Sequence, residues 1–424
     1  VVLVKVTIVG CGAQGSALAG RLAREPDTEK IVLADIILDR TKWAASQVRG
    51  LKGARADVSI EVKQVNAANK DDVARVARGS DFIFNATFPP FNIPIMKACL
   101  EVGAHYADLW SLPSAELPGA IKEHTVDAQL ELDEAFRRAG LTAVPCTGAA
   151  PGFTDVAARY IAEQLDTVDK IKAAWCERLG YVEGDRLIGI FAPREMMGEF
   201  FSPFGPIVYE RGRFKEVDLV RTREEIECPE PTGKVVVYAV CTHPELRTIP
   251  IALGKIGKTP NYVEMKGGAK FGDLTWDQIA IKAIKEAILR ERTTSFKEVD
   301  LLDLWGKSFT DPVDTFRLYK EGKIKDQSVT FPIIAEGTKG GKRVRYTVYG
   351  TVTTEDALKD MPYTYTANWV TSMIPLVVIT MVCRGEYKER GVHFCGELPN
   401  PKQILDRVRK MGMRIRETIE EVKS

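Results

Sequence analysis

Val4-Lys5-Val6-Thr7-Ile8-Val9-Gly10-Cys11-Gly12-Ala13-Gln14-Gly15, with Asp35 twenty residues after the last glycine, decides how this chain folds at its amino end. Val4 to Val9 is a β-branched apolar run of buried-strand type. Gly10 permits a tight turn out of that strand. Gly12 lacks a side chain, so a pyrophosphate can approach the main chain. Gly15 lets the next helix pack close to the sheet. That helix, from Ala13 to about Arg24, points free N–H groups and the positive end of its dipole at the phosphates. Ile31 to Ala34 reads as the second strand, ending at Asp35. A carboxylate there accepts hydrogen bonds from the ribose hydroxyls of NAD and repels a 2′-phosphate. Ile36 follows, not arginine, which favours NAD, while Arg40 and Lys42 lie close by.

Working outward, the 424 residues suffice for two or three domains, and the formal net charge is +1. Bulk charge therefore favours neither nucleic acid nor an anionic membrane surface. The eight cysteines lack a CxxC pair and read as reduced thiols of a cytoplasmic protein. The four histidines are scattered, so no metal site is expected. The chain opens directly in a strand, and no signal peptide is expected. The apolar stretch 374–382 is too short to span a bilayer and reads as a buried helix or strand.

Residues 1–150 alternate strands and helices: strands at 62–65, 81–86, 106–108 and 142–145, helices at 41–49, 71–78, 93–102 and 126–139. This predicts a Rossmann-type, doubly wound parallel sheet that binds the dinucleotide. After the turn Gly148-Ala149-Ala150-Pro151-Gly152, a helix led by Thr154 or Asp155 bridges into a second domain, 151–364. Strand-like runs at 171–176, 207–211, 235–240 and 262–266, a helix at 276–291 and a hairpin around Gly337–Gly341 predict an α+β domain on a mainly antiparallel sheet. Residues 365–424 read as a helical segment packing back on the first domain, with Ile404, Val408, Met411, Ile415 and Ile419 at helical spacing.

Four segments carry a family resemblance: the glycine loop; Asn85-Ala86-Thr87-Phe88-Pro89-Pro90-Phe91-Asn92 with 98–108; Gly148 to Asp155; and Gly391-Val392-His393 with Glu397-Leu398-Pro399. On these the chain resembles the saccharopine dehydrogenase-like oxidoreductases, most nearly the lysine 6-dehydrogenase branch. His243-Pro244-Glu245 with Thr248-Ile249-Pro250 is similar to a run of that branch. The saccharopine-forming branch has Asp before the Pro-Gly pair, where this chain has Ala150. The resemblance implies hydride transfer between NAD and a carbon bearing an amine. It also implies a homodimer formed through the second domain's sheet.

Such chemistry needs a base for the amine proton, a cation for a substrate carboxylate and a cleft that excludes water. The proton-handling candidates are His243, Asp108 and Glu177. A histidine titrates near working pH; Asp108 ends a strand beside the expected nicotinamide, and Glu177 follows the strand at 171–176. Substrate-binding candidates are Tyr106, Phe153, Thr154, Arg194, Glu245 and Arg247, the arginines as carboxylate clamps. Cofactor-binding candidates are Gly10, Gly12, Ala13, Gln14, Gly15, Asp35, Ile36, Asn66, Ala67, Ala86, Thr87, Pro89, Asp108, Leu109 and Thr147.

Three functions compete. One is NAD-dependent oxidative deamination of the side-chain amine of lysine or a similar diamino acid. A second is a reductive condensing enzyme of the saccharopine or carboxynorspermidine type. Holding two carboxylates would require at least two converging Arg or Lys. A third is a non-catalytic NAD-binding protein.

Overall fold

The computed structural model describes residues 3–422 apart from 118, 203–204 and 292–299. Strand β1 (Val4–Val9) runs into α1 (Ala13–Leu22). The alternation continues through β2 (Thr28–Asp35), α2 (Leu38–Arg49), β3 (Ser59–Gln64), α3 (Lys70–Ala77), β4 (Phe82–Asn85), α4 (Asn92–Val102), β5 (His105–Asp108), α5 (Val126–Leu130), α6 (Asp133–Arg138) and β6 (Thr142–Val144). Helix α7 (Thr154–Gln164) leads to the long strand β7 (Thr167–Val182). Then come α8 (Pro193–Gly198), β8 (Ile207–Glu210), β9 (Arg213–Glu216), β10 (Glu224–Glu227), β11 (Lys234–Ala239), α9 (Glu245–Gly254), β12 (Tyr262–Phe271) and α10 (Trp276–Glu291). Next are α11 (Leu301–Gly306), α12 (Pro312–Lys320) and the hairpin of β13 (Ile324–Lys339) and β14 (Lys342–Thr353). The chain closes with α13 (Thr354–Asp360), α14 (Thr366–Thr371), α15 (Met373–Cys383), β15 (Gly391–Val392), α16 (Pro401–Lys410) and β16 (Arg414–Glu421).

The first sheet runs β15-β6-β5-β4-β1-β2-β3, with every pairing parallel. Helices cover both faces, which is why its strands read as continuous apolar runs. The strand order reverses between β1 and β4, and a crevice opens there at the carboxyl ends of the strands. The second sheet runs β10-β11-β12-β7-β13-β14-β16, with the β8–β9 hairpin beside β12. It is mixed: β7 pairs parallel with β12 over ten residues and antiparallel with β13. The expected antiparallel character holds for the rest of that sheet, and the hairpin turns at Gly340-Gly341, both at positive φ.

Several expectations are corrected. The helix read over 126–139 is two, α5 and α6, broken at Glu131-Leu132. The helix read over 71–78 spans Lys70–Ala77 and is capped by Asn69, whose side chain accepts from the Asp71 and Asp72 N–H groups. The terminal helix stops at Lys410. Gly412 takes φ 109° and lies against Trp369, so Ile415 and Ile419 belong to β16, which extends the second sheet along β14. The carboxyl-terminal segment therefore serves both sheets, since β15 extends the first.

Helices α14 and α15 pack on α1, β4 and β5. By length and composition the stretch Thr366–Cys383 is apolar enough to cross a membrane, but 83% of it is buried inside the protein, as a core helix pair is. Two features fix it there. Gly20 lets α1 approach so closely that a Cβ would stand 2.1 Å from the Tyr363 hydroxyl. Arg21 is buried, donates to Ser372 Oγ (2.6 Å) and the Trp369 carbonyl (3.0 Å), and stacks on the Trp369 ring.

Candidate active site

A cleft of about 960 Å³ lies between the two sheets, at the upper end of the size of single-ligand sites. Its first half is built by the β1–α1 loop. A Cβ on Gly12 would meet no atom within 4 Å, so this position faces open space. A Cβ on Gly15 would stand 1.9 Å from the Gly10 carbonyl oxygen, so that glycine serves helix–strand contact. Gly10 itself takes φ 94°. Asp35 accepts the Cys11 N–H (2.8 Å) and the Ile37 N–H (2.9 Å), and Arg40 stands 3.6 Å away. Gln14 lines the same space, and its Oε1 is buried without a hydrogen-bond partner. An open glycine, a helix amino terminus, an acid at the second strand and an orphaned amide oxygen fit a dinucleotide cofactor.

Of the cofactor candidates, Gly10, Gly12, Ala13, Gln14, Asp35, Ile36, Asn66, Ala67, Ala86, Thr87 and Leu109 all line the cleft. Gly15, Pro89, Asp108 and Thr147 do not. Pro89 is buried at the start of a short turn (Pro89–Phe91) before α4. Thr147 and Asp108 tie the ends of β5 and β6 together, Thr147 donating through N–H and Oγ1 to the Asp108 carbonyl.

Asp108 is thereby corrected as a proton-handling residue. It is 1% exposed and accepts from Cys146 N–H, the Tyr106 hydroxyl and Gln129. Burial pushes its carboxyl up to about 6 against these three hydrogen bonds. Its work is to hold Cys146 in a left-handed turn. Tyr106 is spent on the same network and does not reach the cleft. Phe153 is fully buried, edge-on to Phe331. Neither arginine clamps a substrate: Arg194 pairs with Asp300 (2.8 Å) and Asp303 (2.6 Å), and Arg247 with Asp127 (2.9 Å), outside the cleft.

The far wall is acidic. Glu177, Glu195 and Glu199 line it with His243 and Trp175. Among the described residues lining the cleft, the only arginine or lysine is Arg40, at the adenosine end. Glu177 lies within β7, not after it, and its Oε1 accepts from Gln327 (2.7 Å) and Thr366 (3.1 Å). Burial pushes its carboxyl up to about 8 despite both. Glu199 ends α8. Its Oε2 takes the Trp175 indole N–H (3.0 Å), and its Oε1 faces His243 Nε2 (3.3 Å). Trp175 in turn needs Gly267, whose Cβ would collide with the indole at 2.3 Å.

His243 sits between two carboxylates, since its Nδ1 faces Glu245 Oε2 at 3.1 Å. Burial works against its charge, but Glu245 and Glu199 outweigh it and hold the imidazole protonated, up to about 10. Glu245 and Thr154, read as substrate-binding, are fully buried behind His243 and do not line the cleft. Glu199 and Glu195 escaped the sequence reading. Their i, i+4 spacing on a short charged helix has the pattern of a solvated face.

Residues 6–144 match the family described as the saccharopine dehydrogenase NADP binding domain. A carboxynorspermidine synthase from Vibrio cholerae is 24% identical over 426 aligned positions, spanning 96% of this chain and 94% of the relative. A carboxyaminopropylagmatine dehydrogenase from Synechocystis is 24% identical over 230 positions, 54% of each chain. The apo saccharopine dehydrogenase (L-Glu forming) of Saccharomyces cerevisiae shares the fold, with a TM-score of 0.66 at 13% identity, over 98% of this chain and 100% of that one. With a nucleotide cleft built on these residues, the amino-terminal domain is of the saccharopine dehydrogenase NADP binding type over residues 6–144, and it binds a nicotinamide dinucleotide.

Proposed function

We propose that this chain reduces the imine formed between an amine-rich, cationic substrate and a carbonyl partner, the reaction type of its carboxynorspermidine synthase relative. The observation that carries this is the acidic far wall with no arginine or lysine among its described residues. Glu195 and Glu199 attract a substrate bearing ammonium groups, beside the carboxyl of Glu177. They disfavour a product held by two carboxylates, which would need converging cations. A carboxynorspermidine synthase relative that spans nearly the whole chain supports this reading over the oxidative deamination of lysine.

When bound, the nicotinamide supplies the hydride. The chain's own residues supply the rest. Glu199, braced by Trp175 and His243, faces the amine and takes its ammonium proton before condensation. His243 carries a proton on Nε2 for the imine nitrogen, which must be positive to accept hydride. Glu177, largely neutral near pH 7, donates a hydrogen bond from the same far wall. Trp175, Phe331 and Tyr365 close the site against water. Asp35 supports NAD over NADP, and Arg40 beside it softens that preference.

The test is oxidation of NADH or NADPH with short linear diamines plus an amino acid semialdehyde, against lysine with NAD in the other direction. Turnover of the diamine pair is expected. Reduction of NAD by lysine alone, with no diamine turnover, would overturn the reading in favour of deamination. The variant E199Q should lose most turnover while retaining nucleotide binding.

A further inference from the structure

We propose that Asp155 and Glu245 share one proton through the Thr154 hydroxyl, and that the position of this proton sets the acid strength of His243. The three residues do not touch the cleft; they act through the imidazole as positioning residues. The proposal rests on the function above only for the direction in which the proton moves.

Hydrogen counting carries the argument. Thr154 Oγ1 lies 3.0 Å from Glu245 Oε1 and 3.4 Å from Asp155 Oδ2. A hydroxyl has one hydrogen to give, so it cannot serve two carboxylates at once. Thr248 Oγ1 is in the same position: it contacts Asp155 Oδ1 and lies 3.2 Å from the Pro244 carbonyl oxygen. A proton on Asp155 relieves whichever hydroxyl its oxygen faces.

Charge leads to the same place. Glu245 is 0% exposed and Asp155 2%; Glu245 and Glu199 flank the imidazole, and Asp155 lies behind Glu245, across Thr154. An uncompensated buried charge costs several kcal/mol, so the cluster retains a proton. Facing Asp155 are Glu245 and Thr248 of α9 and the buried thiols of Cys146 and Cys395; its own Oδ2 also accepts the Gly152 N–H at 3.0 Å. Burial first and the charge of Glu245 second raise the Asp155 carboxyl to about 7.

The proton has two seats. On Asp155, it leaves Glu245 anionic, and Glu245 holds the imidazolium through Nδ1. In the reactive step Asp155 gives its proton to Thr154 Oγ1 while Thr154 passes its own hydrogen to Glu245 Oε1. His243, its counter-charge gone, releases the Nε2 proton to the imine nitrogen. Asp155 ends as a carboxylate, Glu245 as an acid and His243 neutral. The imine gains one proton, and the count balances. The reverse shift reloads the imidazole.

Two arms test this on the full chain. In the kinetic arm, T154V should lower kcat at least ~10-fold with the amine KM within about twofold, and T154S should recover to within about threefold of wild type. T154V turning over at the wild-type rate, or T154S as slow as T154V, would overturn the proposal. The second arm needs no substrate, so it stands even if the assigned reaction fails. In ¹⁵N-histidine-labelled protein, with H243N identifying the signal, the His243 ring nitrogens should show an inflection near pH 7 that D155N abolishes. An inflection that persists in D155N, or is missing from wild type, refutes the shared proton.

Discussion

Replacing Gly12 by alanine separates a nucleotide loop from a merely tight turn. Gly12 has φ −71°, which alanine adopts freely, and its Cβ would meet nothing within 4 Å. The substitution should therefore leave the fold intact and even add about 0.4–1 kcal/mol by restricting the unfolded chain. The methyl group would instead stand where the pyrophosphate approaches. Displacing a phosphate oxygen from one backbone N–H forfeits a charge-assisted hydrogen bond of about 1.5–3 kcal/mol, roughly 10- to 150-fold in Kd. Gly15 provides the contrast. Its Cβ would lie 1.9 Å from the main-chain oxygen of Gly10, which cannot swing aside as a side chain can. G15A should cost about 1–3 kcal/mol of stability as well as affinity. The assay is NADH and NADPH fluorescence titration beside thermal unfolding of each variant. If G12A melts like wild type and binds nucleotide equally well, the loop does not cradle a pyrophosphate and the cofactor assignment fails.

Other outcomes follow from the same geometry. D35N removes the charge that repels a 2′-phosphate and releases Arg40, so the ratio of NADP to NAD affinity should rise about tenfold, about 1.4 kcal/mol; an unchanged ratio in titration would remove Asp35 as the discriminator. Glu177 has a folded value of about 8 against 4.5, so the native state binds its proton more tightly than the unfolded chain. Stability should fall as pH rises from about 5 to 8 and then level off; E177Q should flatten that slope by on the order of 4 kcal/mol, read by urea unfolding at both pH values. R21A strips the buried link between α1 and the α14–α15 pair and should cost about 3 kcal/mol; a wild-type melting temperature would contradict that. The homodimer expected from the family resemblance is tested by light scattering, which should report twice 47.0 kDa; a monomer at micromolar concentration would exclude it.

The amino-terminal half of the site was legible because its chemistry is written in the main chain. Gly10, Gly12 and Asp35 stand at spacings only a strand–turn–helix can satisfy, and eleven of the fifteen nucleotide candidates face the cleft. The substrate half was legible only in part. His243 and Glu177 do line the far wall, but Arg194 and Arg247 look like carboxylate clamps until their aspartate partners are placed beside them. Those partners come from segments distant in sequence. Glu199 gave no local signal, because its role depends on Trp175 and His243 arriving from two other elements. Asp108 was misread because a strand-end acid has the same local appearance whether it faces substrate or braces a turn. At the carboxyl end, Met411, Ile415 and Ile419 continue a helical rhythm that Gly412 interrupts through its backbone conformation.

The last strands of the chain work as a clasp. β15 finishes the edge of one sheet and β16 the edge of the other, with α16 between them. Cutting the polypeptide before Gly391 would bare both edges at once, so a fragment ending at the first domain inherits an uncovered β6. The same segment ties the two cleft walls together covalently, so any movement of one lobe against the other is taken up in the α16 stretch that joins β15 to β16.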